Sequence, residues 1–310
     1  MLDNLRQEYR QSLKSSDTEE HIDLAFYRPV GFMWAILCRK LGITPNAVTI
    51  VSIFLGVGAG ICFYYTDLWV NVLGIFLLIW ANSLDSADGQ LARLTKQYSR
   101  IGRILDGMAG DMWFISIYVC ICLRAVRTVP LFVEHHYIVW VLAVAAGICH
   151  AMQAAIADYF RQFHLMFTSK NFPTELENSA KIRAQIQATP KGDFIKRLIL
   201  NVYYGYTRNQ ERMTPATQAL LNQIHAKYPD GNVPQGLSSY IRMATLPMCK
   251  WENFLTFNWR AITLFICVLA GVPYVYFVVE LTVFNIVLLY LMTSHERICR
   301  RIDIQEKTPQ

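Results

Sequence analysis

Six blocks of this sequence stay apolar for roughly twenty residues each, and that restricts the possible folds more than any other feature. Residues 47–65, AVTIVSIFLGVGAGICFYY, carry no charge at all. At 1.5 Å per residue, a helix of about twenty residues crosses the roughly 30 Å hydrocarbon layer of a bilayer. Lipid supplies no hydrogen bonds to the backbone, so such blocks must be helical. The other blocks run from Leu68 into an acidic motif, from Gly102 to about Leu123, and from Tyr137 to Phe163. The fifth starts within 251–262 and ends at Gly271-Val272-Pro273, and the sixth covers Tyr274–Ser294. The expected fold is an all-α integral membrane protein with six transmembrane helices.

The rest of the chain divides around these blocks. Residues 1–46 read as a cytoplasmic lead-in, polar through residue 27 and without a signal-peptide pattern. Residues 28–42, RPVGFMWAILCRKLG, are too short to span and end in Arg39 and Lys40, as an interfacial helix would. Pro45 fixes the following turn, with Asn46 or Thr49 as candidate caps of the first span. Residues 47–163 form spans one to four, 164–250 a helical cytoplasmic insertion, 251–296 spans five and six, and 297–310 a cytoplasmic tail. Within the insertion, Asp193–Tyr206 is amphipathic and aromatic-rich, and Thr214-Pro215 opens a capped helix. The insertion has three possible uses: to lie on the membrane, to roof a site, or to bind a partner or second copy.

The net charge is +6, but the basic residues flank apolar runs and form no separate stripe, which argues against nucleic acid. Arg93, Lys96, Arg100 and Arg103 crowd one connection, and HERICRR follows the last block. By the positive-inside rule these ends, and both termini, face the cytoplasm. The eight cysteines lack zinc spacing and read as packing residues.

Ionised groups beside apolar runs are rare and usually functional. The stretch from Asp85 to Asp111, DSADGQLARLTKQYSRIGRILDGMAGD, holds several. Asp85 and Asp88 are three apart and share a helix side, which Gly89 and Ala92 continue. Gly102 and Asp106 repeat the small-then-acid pattern on a second helix. Two antiparallel helices on a short loop bring these acids together near one membrane face. Facing acids repel, a divalent cation relieves that, and oxygen-only ligation suits Mg²⁺ or Mn²⁺ rather than zinc.

These residues resemble the CDP-alcohol phosphotransferase family, whose signature is D-x-x-D-G-x-x-A-R, eight residues, then G-x-x-x-D-x-x-x-D. Asp85, Asp88, Gly89, Ala92, Arg93, Gly102 and Asp106 fall in register, while the last aspartate position is Gly110 and the next residue is Asp111. The resemblance implies a divalent-metal enzyme of phospholipid biosynthesis, working at the cytoplasmic face with a two-metal site. It would move a substituted phosphate from a CDP-linked donor, typically CDP-diacylglycerol, to an alcohol and release CMP. It implies Asp85, Asp88 and Asp106 as metal ligands. Gly89, Ala92, Arg93 and Gly102 would line the donor nucleotide and phosphate. On a regular helix Asp111 lies about 140° from Asp106, so it can replace the missing acid, as base and metal ligand, only through a π-bulge. Gly107 and Gly110 would permit one. Otherwise Asp111 is a supporting carboxylate.

DYFR at 158–161 resembles a family element whose arginine holds the acceptor. Arg161 and Arg260 are the candidate acceptor contacts, with membrane anchoring as the alternative for each. Glu280 falls nearer the outer face. The expected partners are the donor lipid, the alcohol, membrane lipids and possibly a second copy. Two rivals remain, a catalytically impaired relative that binds nucleotide lipid as a scaffold, and a transporter.

Overall fold

The structure is a computed structural model. It describes residues 7–9, 12, 18–98, 100–168, 176, 178–190 and 192–302. All regular structure among these is helical. After a π-helical turn at Asp23–Tyr27 come α1 (Arg28–Leu41), α2 (Pro45–Tyr64), α3 (Leu68–Thr95), α4 (Arg100–Thr128), α5 (Pro130–Glu134) and α6 (His136–Met166). Then follow α7 (Ser179–Ala188), α8 (Phe194–Met213), α9 (Pro215–Lys227), α10 (Gln235–Phe254), α11 (Phe257–Leu269), α12 (Val275–Leu281) and α13 (Val283–Arg301).

Among the described residues, five segments are long and apolar enough to cross a membrane: Pro45–Tyr64, Leu68–Thr95, Leu105–Thr128, His136–Met166 and Val275–Arg301. The first four match the expected spans one to four. The expected fifth span corresponds to α11, which starts within 251–262 and ends just before Gly271, and the expected sixth falls on Val275–Arg301. Helix α10 continues to Phe254, and α11 holds only 13 residues, about 20 Å. Gly271, at φ 76°, makes the turn beyond it. The expected outer connection also contains a short helix, α5, which Pro130 starts.

The chain forms two compact units. The first comprises residues up to Gly147 together with Arg260–Leu281. In it α2 packs on both α3 and α4. Gly56 and Gly60, one turn apart, permit this close approach. A Cβ at Gly60 would lie 2.8 Å from the backbone nitrogen of Ile117, and one at Gly56 would overlap the Trp113 ring. The Ser116 hydroxyl then reaches the Val57 carbonyl at 3.1 Å. Thr44 caps α2, accepting from the Ala47 N–H at 3.4 Å, with Pro45 in the first turn. The cap is therefore neither Asn46 nor Thr49. Asp67 caps α3 by accepting from Trp69 and Val70.

Helix α1 ends at Gly42, whose left-handed φ of 68° closes it. Its Gly31 lies against the motif helix, where a Cβ would sit 2.9 Å from Ser86 Oγ. Arg260 of α11 and Glu280 of α12 form an ion pair with side chains 1% and 0% exposed. The sequence had put Glu280 nearer the outer face, away from the acceptor contact expected of Arg260. The turn between α11 and α12 brings them together.

The second unit comprises Ile148–Trp259 and the chain from Thr282 onward. Phe163, Phe167, Leu220, Leu221, Ile224, Leu237, Ile241, Cys299 and Ile302 form its apolar core. His164 Nδ1 meets Thr245 Oγ1 at 2.7 Å, and His295 stacks on Phe160 with ring centroids 3.8 Å apart. Thr214 stands at the start of α9, but its hydroxyl donates back to Gln210. The open N–H groups of α9, on Ala216 and Thr217, instead donate to Glu296 of α13 at 2.6 and 3.0 Å. Glu211 likewise accepts from the first turn of α7, at Ser179 N, 2.8 Å away. All eight cysteines are free thiols.

Candidate metal centre

Helix α3 brings Asp85 and Asp88 to its C-terminal part, and α4 brings Asp106 from the other side of a short connection. One carboxylate oxygen from each lies within 4.8 Å of the others. An octahedral Mg²⁺ with bonds of about 2.1 Å holds neighbouring oxygens about 2.9 Å apart and opposite ones about 4.2 Å apart. The group therefore fits such an ion after small side-chain adjustments. Its all-oxygen donor set suits Mg²⁺ or Mn²⁺.

The three acids differ in surroundings. Asp88 is buried, Asp85 half-buried and Asp106 exposed. Thr49 of α2 donates its hydroxyl to Asp88 Oδ2, a contact the cap reading of Thr49 had missed. The only signal for it was a threonine facing an acid from the preceding span. Such an outer partner orients a ligand carboxylate and tunes its charge.

Next to the acids, a Cβ at Gly89 would meet Arg93 Nη1 at 3.5 Å, an ordinary contact. Arg93 donates through Nε to the Ser12 carbonyl at 2.6 Å, while its buried Nη2 has no hydrogen-bond partner. Arg28 clasps the motif from the side. It pairs with Glu19 at 2.8 Å, donates to Ser86 Oγ at 3.3 Å, and accepts at its carbonyl from Gln90 at 3.1 Å. Glu19 and Arg28 were not singled out in the sequence, because neither lies within the motif. Ala92 and Gly102 are both half-buried.

Helix α4 is α-helical from Arg100 to Thr128, with no π turn. The expected bulge is thus absent, because Gly107 and Gly110 hold ordinary helical geometry. Asp111 stays about 140° around the helix from Asp106, exposed and outside the acid group.

The two acceptor candidates are placed differently. Arg260, paired with Glu280, is committed to the interior of the first unit. Arg161 belongs to the second unit, where Nη2 donates to Asn253 Oδ1 at 3.2 Å and buried Nε has no hydrogen-bond partner. Glu252 of α10 lies close enough to Arg161 and Asp158 for their charges to act on it. Burial pushes its carboxyl up to about 8, opposed by Arg161 and reinforced by Asp158.

Fold and site together define a polytopic helical membrane protein with an acidic, oxygen-only centre built from two helices. Residues 42–190 match the family model for CDP-alcohol phosphatidyltransferases. The chain is also similar to the CDP-diacylglycerol–glycerol-3-phosphate 3-phosphatidyltransferase of Cereibacter sphaeroides, 33% identical over 78 residues. That alignment takes in 25% of this chain, and the chain spans only 35% of that relative's length.

Proposed function

We propose that the chain is a divalent-metal-dependent CDP-alcohol phosphatidyltransferase of phospholipid biosynthesis, moving a phosphatidyl group from CDP-diacylglycerol to an alcohol. The observation that carries this reading is the approach of Asp85, Asp88 and Asp106 to within 4.8 Å from two helices. In it, these residues would hold the divalent metal, with a two-ion site as the expectation. When bound, Mg²⁺ or Mn²⁺ supplies positive charge against the donor pyrophosphate and the departing CMP.

The chain's own groups do the rest. Thr49 holds Asp88 in place, and Arg93 offers its open Nη2 to a donor phosphate. Gly89, Ala92 and Gly102 leave the backbone accessible to the nucleotide. The acceptor oxygen bonds to the lipid-bearing phosphorus, the bond to CMP breaks, and CMP leaves with the electron pair. The hydroxyl proton passes to Asp106, the exposed member of the group. Asp111 is given no part, since it stands off the acid group on a regular helix.

The acceptor contact in this reading is Arg161 rather than Arg260. The name of the Cereibacter relative makes glycerol 3-phosphate that protein's acceptor, and an arginine suits a phosphorylated polyol here too. In this reading the centre lies at the cytoplasmic face, which the basic connection after α3 supports through the positive-inside rule. Both termini share that face if α11 completes a sixth crossing, with α1 lying in the interface.

The test is CMP release by purified protein in nanodiscs, offered CDP-diacylglycerol and a panel of alcohols with Mg²⁺, Mn²⁺ or chelator. Metal-dependent release with at least one alcohol supports the reading. A second reading, a nucleotide-lipid-binding scaffold, is favoured by Gly110 in place of an acid. It predicts metal-dependent donor binding with no release for any alcohol.

A further inference from the structure

Helix α8, Phe194–Met213, carries an apolar face that, among the described residues, is left largely exposed. Phe194 and Val202 are 73% and 67% exposed, and Leu198, Ile199, Tyr203 and Tyr206 are exposed as well. At 100° per residue these six fall within an arc of about 180°. The helix is tied to the rest of the unit at other positions, where Gln210 donates to the Ala155 carbonyl at 2.8 Å and Thr207 is buried. A face of this size in water favours association with something apolar.

The charges on the same helix indicate what that is. Lys196, Arg197, Arg208 and Arg212 stand against a single acid, Glu211. Glu211 is already engaged, since it accepts from Ser179 of α7. Lys196, Arg208 and Arg212 are exposed, while Arg197 donates to the Thr189 carbonyl at 3.1 Å. Arg208 lies over the Tyr204 ring at 5.7 Å and donates to its hydroxyl at 2.9 Å. A second copy seated on this face would bring two such sets of cations together within a helix width, which opposes pairing. An anionic bilayer surface takes both components at once. Acyl chains receive Phe194, Leu198 and Val202, tyrosines sit at headgroup level, and lipid phosphates meet the cations.

We propose that α8 docks on an anionic phospholipid surface, so that the segment between α6 and α11 is held to the membrane by a helix lying in its interface. The sequence left membrane, site roof and partner open for this segment. The uncovered face and the cationic helix favour the first.

The test uses full-length protein with p-benzoylphenylalanine at Val202, and in a second variant at Leu198, in nanodiscs of phosphatidylcholine with or without phosphatidylglycerol. Irradiation and mass spectrometry then identify the adducts. The expected result is phospholipid adducts from both positions, enriched in the phosphatidylglycerol discs, and few from Tyr204 on the opposite side of the helix. Combining Lys196→Gln, Arg208→Gln and Arg212→Gln lowers the yield in those discs by about tenfold or more. A crosslink to a second copy, equal yields in the two discs, or no lipid adduct would each overturn the proposal. None of these readings depends on catalytic turnover.

Discussion

The Thr49 hydroxyl donates to Asp88 Oδ2, tying the first long helix to a buried acid of the second. That acid belongs to a group whose ligand oxygens lie within 4.8 Å. Thr49→Val removes the donor and keeps the shape. The change should weaken Mn²⁺ affinity about tenfold, as loss of an outer-shell partner does. It should cost only about 1 kcal/mol of stability. Thr49→Ser should restore affinity, and a Mn²⁺ titration followed by electron paramagnetic resonance checks both variants.

Gly89 separates fold from ligand. Its Cβ position meets only the far end of Arg93, at 3.5 Å or more, so alanine fits the empty site. Gly89→Ala should hold or raise thermal stability, by up to about 1 kcal/mol from helix propensity. It should reduce CMP release by about 100-fold, because a methyl there displaces the donor from its reacting position. Stability and turnover measured on one preparation decide the matter.

The Arg260–Glu280 pair is structural in this account. Glu280→Gln leaves an arginine buried without its counter-charge and should destabilise the first unit by about 3–5 kcal/mol. The double variant Arg260→Met, Glu280→Leu should recover most of that loss and keep the KM for the acceptor. A well-folded double variant with a greatly raised acceptor KM would instead make Arg260 a substrate contact.

Glu252 gives the second unit a pH signature. It lies on α10, outside the five long apolar helices, and burial raises its carboxyl from 4.5 to about 8. The folded state therefore binds a proton that the unfolded state has lost over that interval. Stability contributed by neutral Glu252 is fully present below about pH 4.5 and lost as pH rises to about 8. Between pH 6 and 8 the wild type should lose thermal stability more steeply than Glu252→Gln. Equal slopes for the two proteins would contradict this.

All five long apolar segments and the meeting of three acids were legible in the sequence, because both follow from local rules. Apolar length sets a span, and acids at helical spacing on two helices joined by a short turn must converge. What was missed depends on contacts between distant residues. Asn46 and Thr49 looked like caps, yet Thr44 takes that place and Thr49 turns to Asp88. The start of α9 is capped by Glu296, 80 residues from Ala216, which no local pattern announces. Asp111 was read through a bulge that two glycines would allow. Permission is not a driving force, and α4 keeps its regular hydrogen bonding. For the fifth span, α11 lies within the expected bounds but holds only 13 residues, because α10 runs to Phe254 and the backbone breaks before Phe257.

The central claim is that carboxylates from α3 and α4 hold divalent ions between them. Mn²⁺ binding, read by electron paramagnetic resonance on nanodisc protein with CDP-diacylglycerol present, tests it most directly. Asp88→Asn and Asp106→Asn should each abolish the bound signal, while Asp111→Asn leaves it intact. Undiminished Mn²⁺ binding in the combined Asp85→Asn, Asp88→Asn, Asp106→Asn protein would contradict the account.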